Sequence, residues 1–349
     1  MAVSAPPATS EDDTGAHTGA HTGAHAAVGI AEITRAARLL RDVAVPTPVI
    51  PCPAPVPGAI DGPLWLKCES LQRTGSFKLR GAFVRIARLD EAARARGIVT
   101  ASAGNHAQGV ALAARSFGVP ATVFMPAAAP RVKVDATRAL GAVVELVDGP
   151  VDLAITASRA AAVERGLTEV HPFDDPDVIA GQGTVGLELV AQLPEVGTVL
   201  VPVGGGGLVA GIAAAVKAHR PGVRVVGVQA EGAGAFAASL AAGSMVTLDR
   251  VETMADGIAV ARPGALPLAL ARAGLVDEVV TVTDEALWSA MRHCWGELRL
   301  VVEPAGAAGL AALGAALAEP YPGPVAVVVS GGNIDHRLGA RLLASGRAA

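Results

Sequence analysis

Short runs of aliphatic, often β-branched residues alternate along the chain with longer alanine-rich stretches. The runs Ala121 to Met125, Val143 to Val147, Thr198 to Val203, Val223 to Gln229 and Val325 to Val329 are largely apolar and bounded by turn-forming residues. Runs of this length without strict alternation predict strands, several of them buried on both faces. The stretches between them place apolar residues at helical spacing, and the first predicts an amphipathic helix from Ile30 through Leu40. Strands separated by helices predict an α/β fold with open, mostly parallel, twisted sheets and right-handed crossovers. In such sheets ligands bind beyond the carboxyl ends of the strands, where glycine-rich turns lead into helices.

Composition narrows the function classes. With 349 residues, 51% hydrophobic content and a mean hydropathy of +0.45, the chain has enough apolar surface for two domains. A net charge of -4 offers no basic field, so nucleic acid is not an expected partner. Three cysteines, Cys52, Cys68 and Cys294, are an odd number without CxxC spacing, which indicates neither a disulfide framework nor a thiolate metal site and fits a cytoplasmic protein. Glu11, Asp12 and Asp13 stand where a secretory leader would be basic and then apolar, so none is expected. The longest apolar run, Ala305 to Ala318, is shorter than the roughly 18 to 20 residues that span a bilayer, so no membrane association is expected. Thr14 to His25 are three copies of Thr-Gly-Ala-His, and residues 1–27 are expected to be a disordered tail.

Four segments carry candidate chemistry. Lys78 lies in Thr74-Gly75-Ser76-Phe77-Lys78-Leu79-Arg80-Gly81, after the strand-like Leu64 to Glu69. Among such neighbours its amine is expected to be desolvated, which lowers its pKa and suits a lysine that forms a Schiff base. Gly204-Gly205-Gly206-Gly207 joins a buried-strand run to a helical stretch starting at Leu208, a pattern that lets backbone N–H groups cradle a phosphate at a helix N-terminus. Thr100 to Gly109 reads as a strand-to-helix turn with Ser102 as N-cap and Asn105 and His106 in the first turn, suited to a substrate carboxylate. Ser330-Gly331-Gly332-Asn333 places a hydroxyl at a strand end, where it can meet a heterocyclic nitrogen. The glycine turn alone also fits a dinucleotide pattern, Gly205-x-Gly207-x-x-Ala210, and an NAD-binding oxidoreductase or an amino-acid-binding module stays open on these residues.

Taken together, the segments resemble the threonine/serine dehydratase family of pyridoxal phosphate enzymes, fold type II, with the tryptophan-synthase-β-like fold. The matching strings are ESLQRTGSFKLRGA from Glu69, ASAGNHAQGV from Ala101, VIAGQGT from Val178, the turn Gly204 to Leu208, ADGIAV from Ala255, VEPAG from Val302 and SGGNID from Ser330. The resemblance implies that Lys78 forms the Schiff base with pyridoxal 5'-phosphate and that Phe77 and Gly257 flank the ring. It implies further that Asn105 contacts the 3-hydroxyl, Gly204, Gly205, Gly206, Gly207 and Leu208 hold the phosphate, Ser330 meets the ring nitrogen and Glu303 lies near the ring. Ser102, Ala103, Gly104, Asn105 and His106 would bind the substrate. The implied reaction converts L-threonine to 2-oxobutanoate and ammonia, with L-serine to pyruvate as a side activity. Hydroxyaspartate, phenylserine and serine racemase-like activity are alternatives.

Departures refine that expectation. Serine racemases of the family have a second serine where this chain has Ala103, which disfavours racemisation. Acidic metal-binding positions of some members correspond here to Gln229, Ala233 and Ala235, so no divalent metal site is expected, whereas a monovalent ion on backbone oxygens stays open. The expected organisation is a large cofactor-binding domain of residues 28–97 and 175–349, an inserted small substrate-closing domain of 98–174, and a homodimer.

Overall fold

The structure, a computed structural model, describes residues 28–53, 60–149, 151–314 and 320–344. The Thr-Gly-Ala-His tract and the rest of the expected tail lie outside the described residues.

Two sheets, one wholly and one mostly parallel, form the frame. The larger contains β1 (Val49–Cys52), β3 (Leu64–Cys68), β8 (Thr198–Pro202), β9 (Arg224–Ala230), β10 (Glu278–Val282) and β12 (Val325–Val329), in the order β1-β3-β12-β8-β9-β10. Only β1 runs antiparallel to its neighbour within it. The smaller contains β4 (Ile98–Ala101), β5 (Ala121–Pro126), β6 (Val143–Val147) and β7 (Thr168–Glu169), all parallel, in the order β6-β5-β4-β7. A two-stranded ribbon pairs β2 (Ile60–Asp61) with β11 (Tyr321–Pro322).

Burial explains the strand order. Val325–Val329 is buried at every position and sits between β3 and β8, as expected of a run with no polar face. Val143–Val147 exposes Val143 and Leu146, as fits an edge strand covered on one side. Because β3, β12 and β8 run parallel, their carboxyl ends share one edge of the sheet. The Lys78 segment, the Ser330 turn and the glycine turn all leave from that edge.

Helices Lys78–Ala87, Pro176–Gln192 and Gly207–His219 pack closely through glycines. A Cβ on Gly181 would lie 2.6 Å from the Gly81 Cα, and one on Gly211 would lie 2.4 Å from the Ile179 carbonyl oxygen. The lysine helix is thereby held at a fixed distance from the helix that follows the glycine turn. Beneath it, the fully buried Lys67 donates to Glu188 at 2.6 Å, Gln192 at 2.9 Å and the Thr47 carbonyl at 2.8 Å. Arg80, equally buried, binds both oxygens of Glu69 at 2.7 and 2.8 Å and reaches Glu188 at 2.6 Å. Each charge is compensated, so the network survives burial.

Removing Arg80 would take from the buried Glu69 carboxylate its direct ion-pair partner. Arg80→Met is expected to lower the unfolding free energy by about 3–5 kcal/mol, measured by urea titration of the full-length chain.

Candidate active site

Lys78 is the first residue of its helix and is fixed in place by the preceding segment. Ser76 bridges to Gly331, and the Phe77 amide donates to the Ser330 carbonyl at 3.2 Å. Asn333 ties a third segment in: its amide nitrogen donates to the Thr74 carbonyl and to Asn105 Oδ1, both at 2.7 Å. Asn105 in turn donates through Nδ2 to Glu303 Oε1 at 2.5 Å. The lysine segment, the turn after β12, the helix Asn105–Phe117 and the helix Pro304–Ala311 therefore converge on one locus.

The Lys78 amine donates to the Pro172 carbonyl at 2.9 Å and stands 5.2 Å from the Phe77 ring centroid. Burial pulls its pKa down to about 8, partly opposed by the charge of Glu303. Glu303 is pushed up to about 7 by burial and then by Asp256, against the opposing Asn105 hydrogen bond and Lys133 charge. An amine and a carboxyl that both titrate near neutrality suit proton transfer. His106 bonds the Val170 carbonyl through Nε2 at 2.9 Å, and burial, reinforced by Lys78, drives its pKa down to about 3. It is a neutral side chain at working pH.

At the glycine turn, Gly206 adopts φ +95° as the N-cap of helix Gly207–His219, a conformation strained for any side chain. A Cβ on Gly205 would lie 2.3–2.4 Å from the Phe173 ring, and one on Gly207 would lie 2.8 Å from the Phe173 carbonyl oxygen. These glycines thus serve close packing. Leu208 is buried in the first turn of that helix. Gly257 sits in the short turn Asp256–Ile258, and its Cβ would lie 3.6 Å from Glu303 Oε1. Its neighbour Asp256 pairs with Lys133 at 2.5 Å, joining the helix beside the small sheet to the large-sheet side of the site.

One expectation needs correction. Ser102 is not the N-cap of its helix: the helix Asn105–Phe117 starts later, with Gly104 as N-cap, and Ser102 Oγ instead accepts from the Gly104 amide at 3.2 Å. A Cβ on Gly104 would meet nothing within 4 Å among the described residues, so Gly104 borders open space, whereas Ala103 packs against the core and Ser330 is buried. Gln229 spends both polar atoms inside the chain, donating to the Ala233 carbonyl at 3.0 Å and accepting from the Ala237 amide at 2.8 Å. Among the described residues no group of three or more His, Cys, Asp or Glu is placed to hold a metal ion, and no helix is long and apolar enough to cross a membrane.

Sequence reasoning missed Asn333, Thr74 and Phe173. Asn333 lay inside the SGGNID string, and its distance in sequence from Asn105 hid the contact. Phe173 had a weaker signal, an aromatic residue just ahead of the helix-capping Asp175-Pro176 pair.

Residues 40–331 match the family described as pyridoxal-phosphate dependent enzyme. The chain belongs to that family. It is 48% identical to the L-threonine ammonia-lyase of Thermotoga maritima over 82% of this chain and 71% of that one. Among solved structures it is similar to maize serine racemase, with a TM-score of 0.85 and 36% identity over 91% of this chain and 98% of that one. It is equally similar to the processed form of threonine deaminase isoform 2 from Solanum lycopersicum, with a TM-score of 0.85 and 34% identity over 93% and 94%.

The residues present fit pyridoxal phosphate. A partly buried amine, a strand-to-helix glycine turn and a hydroxyl-bearing strand end supply the three kinds of contact that the group requires. Thr74 Oγ1 and Ser76 Oγ, just ahead of Lys78, are buried without a hydrogen-bond partner among the described residues, so the locus holds polar capacity that the protein itself does not use.

Glu303 makes stability depend on pH. Its folded pKa of about 7 lies above the ordinary 4.5, so the folded state keeps a proton that the unfolded chain has lost. Stability therefore falls as pH rises through that window. Glu303→Gln is expected to flatten this fall in urea unfolding measured across the window, whereas an unchanged slope would assign it to other groups.

Proposed function

We propose that this chain is a pyridoxal-phosphate-dependent dehydratase that converts L-threonine to 2-oxobutanoate and ammonia, with L-serine to pyruvate as a side activity. The observation that carries the reading is the Lys78 amine, partly buried, bonded to the Pro172 carbonyl and lowered to about 8, beside the Asn105–Glu303 pair delivered by two other segments. Likeness to the L-threonine ammonia-lyase of Thermotoga maritima supports it.

Pyridoxal phosphate, when bound, supplies a carbonyl for Schiff-base chemistry and an electron sink for the α-carbon. In this reading Gly204, Gly205, Gly206, Gly207 and Leu208 hold its phosphate through main-chain N–H groups and the helix N-terminus. Phe77 and Gly257 would flank the ring and Asn105 would meet the 3-hydroxyl, with its amide held by the Glu303 carboxyl. Ser330 would offer the ring nitrogen a neutral hydroxyl, which would not enforce protonation there as a carboxylate would. The turn Ser102, Ala103, Gly104, Asn105 and His106 receives the substrate carboxylate. Lys78 Nζ is the general base for the α-proton, and its lowered pKa raises the neutral fraction at pH 7 to about a tenth, far above that of an ordinary lysine. Closure of the part carrying β4 to β7 excludes water, with Lys133–Asp256 joining the two sides of the mouth.

Ala103 argues against racemisation, since it has no hydroxyl to deliver a proton to the opposite face. The reading includes a homodimer in the cytoplasm with an amino acid as its partner, an expectation carried by the family resemblance. It also includes the division into residues 28–97 with 175–349 and the inserted 98–174.

Purified protein supplied with pyridoxal phosphate is expected to release 2-oxobutanoate from L-threonine faster than pyruvate from L-serine. Lys78→Ala should cut that turnover by at least about a thousandfold while leaving the melting profile intact. Undiminished turnover in Lys78→Ala would overturn the assignment.

A further inference from the structure

The segment His171-Pro172-Phe173-Asp174 returns the chain from the small sheet to the helix Pro176–Gln192, yet its contacts exceed those of a connector. The Pro172 carbonyl accepts from the Lys78 amine at 2.9 Å across 94 residues of sequence. The next residue, Phe173, fills the space in front of Gly205 and Gly207. Asp174 caps the helix Ala265–Leu270, accepting from the Ala265 and Leu266 amides at 2.9 Å each. Four consecutive residues thus touch the reactive amine, the glycine turn and a helix that packs beside that turn.

The turn is organised by His171. Its Nδ1 accepts from the Asp174 amide at 2.8 Å and from the Phe173 amide at 3.3 Å. Both donors are main-chain N–H groups, so Nδ1 must be unprotonated and the ring neutral, with its hydrogen on Nε2. The imidazole also packs edge-on against the Phe173 ring, with centroids 4.7 Å apart. Burial keeps the ring neutral, with its pKa down to about 4; Asp174 opposes that shift, and Arg159 and Lys78 reinforce it. One acceptor atom therefore sets the direction of the turn whose carbonyl meets Lys78.

We infer that His171 is a positioning residue: by accepting from the Phe173 and Asp174 amides it aims the Pro172 carbonyl at Lys78 and seats Phe173 against the glycine turn, fixing the amine relative to the phosphate cradle. This rests on the reading of Lys78 as the reactive amine. The carbonyl supplies an acceptor for the ammonium form and a fixed place for the nitrogen whenever it is uncombined. The charged or titratable groups facing Lys78 are Glu303, His106 and His171 itself, and only His171 is removed by the variants below.

Three substitutions separate positioning from bulk. His171→Asn places an amide oxygen near the position of Nδ1, His171→Gln places it near Nε2 and out of reach of the two amides, and His171→Ala removes it. Lys78 labelling by acetic anhydride in the full-length, cofactor-stripped chain, followed by peptide mass across pH, reads the amine directly. The labelling midpoint is expected to fall by roughly one pH unit in the Gln and Ala variants, because an acceptor for the ammonium is lost, and to stay near wild type in Asn. In the loaded enzyme kcat should drop about tenfold to a hundredfold in Gln with KM changed much less, and Asn should recover most of it. If Ala fails to fold, the Asn and Gln pair decides. Equal midpoints and equal kcat for Asn and Gln would overturn the proposal. Full turnover by Lys78→Ala would instead sink the reading on which it rests.

Discussion

A partly buried lysine amine that must find its acceptor inside the fold is the constraint around which the site is built. Burial disfavours its ammonium form, and Lys78 accordingly titrates near 8. The desolvated amine still needs an acceptor, and the one it finds, the Pro172 carbonyl, comes from the return crossing out of the small sheet. Meeting that requirement links the two sheets at the point where chemistry is to occur. The lysine segment is also anchored to the turn after the central strand β12, so the amine is held by the most buried part of the large sheet.

A chain of amides completes the locus. Thr74, Asn333, Asn105 and Glu303 are connected in sequence by hydrogen bonds, each donated by an amide group. The direction of the Asn105 amide is fixed because Asn333 Nδ2 can only donate, which leaves Asn105 Nδ2 for Glu303. The carboxyl, lifted to about 7 by its surroundings, and the amine, lowered to about 8, are thereby matched. Gly205, Gly206 and Gly207 are required by packing, since Phe173 and Phe236 occupy the space that side chains there would need.

Much of this frame was legible from residue pattern. The helix Ile30–Leu40 and the strands Val143–Val147 and Val325–Val329 fall where periodicity places them, because each is decided by local burial and has clear flanking turns. Val223 to Gln229 is shifted by one residue, to Arg224–Ala230, and Glu69 leaves its strand for a short helical turn because its carboxylate is claimed by Arg80. The strings around Lys78, Asn105, Gly204 and Ser330 marked the segments that converge. What pattern could not show was long-range pairing: Lys67 meets Glu188 across 121 residues, and Asn333 meets Asn105 across 228. No local period encodes such contacts. The start of the helix at Asn105 was also obscured, since Ser102 satisfies a turn amide with the same hydroxyl that would cap a helix.

The most direct test of the central claim is chemical trapping. Full-length protein loaded with pyridoxal phosphate is reduced with borohydride, digested and mapped by mass spectrometry. The account predicts a stable phosphopyridoxyl group on the peptide that contains Lys78, in near-stoichiometric amount. A label on another lysine, or none on a protein that has demonstrably taken up the cofactor, would contradict it.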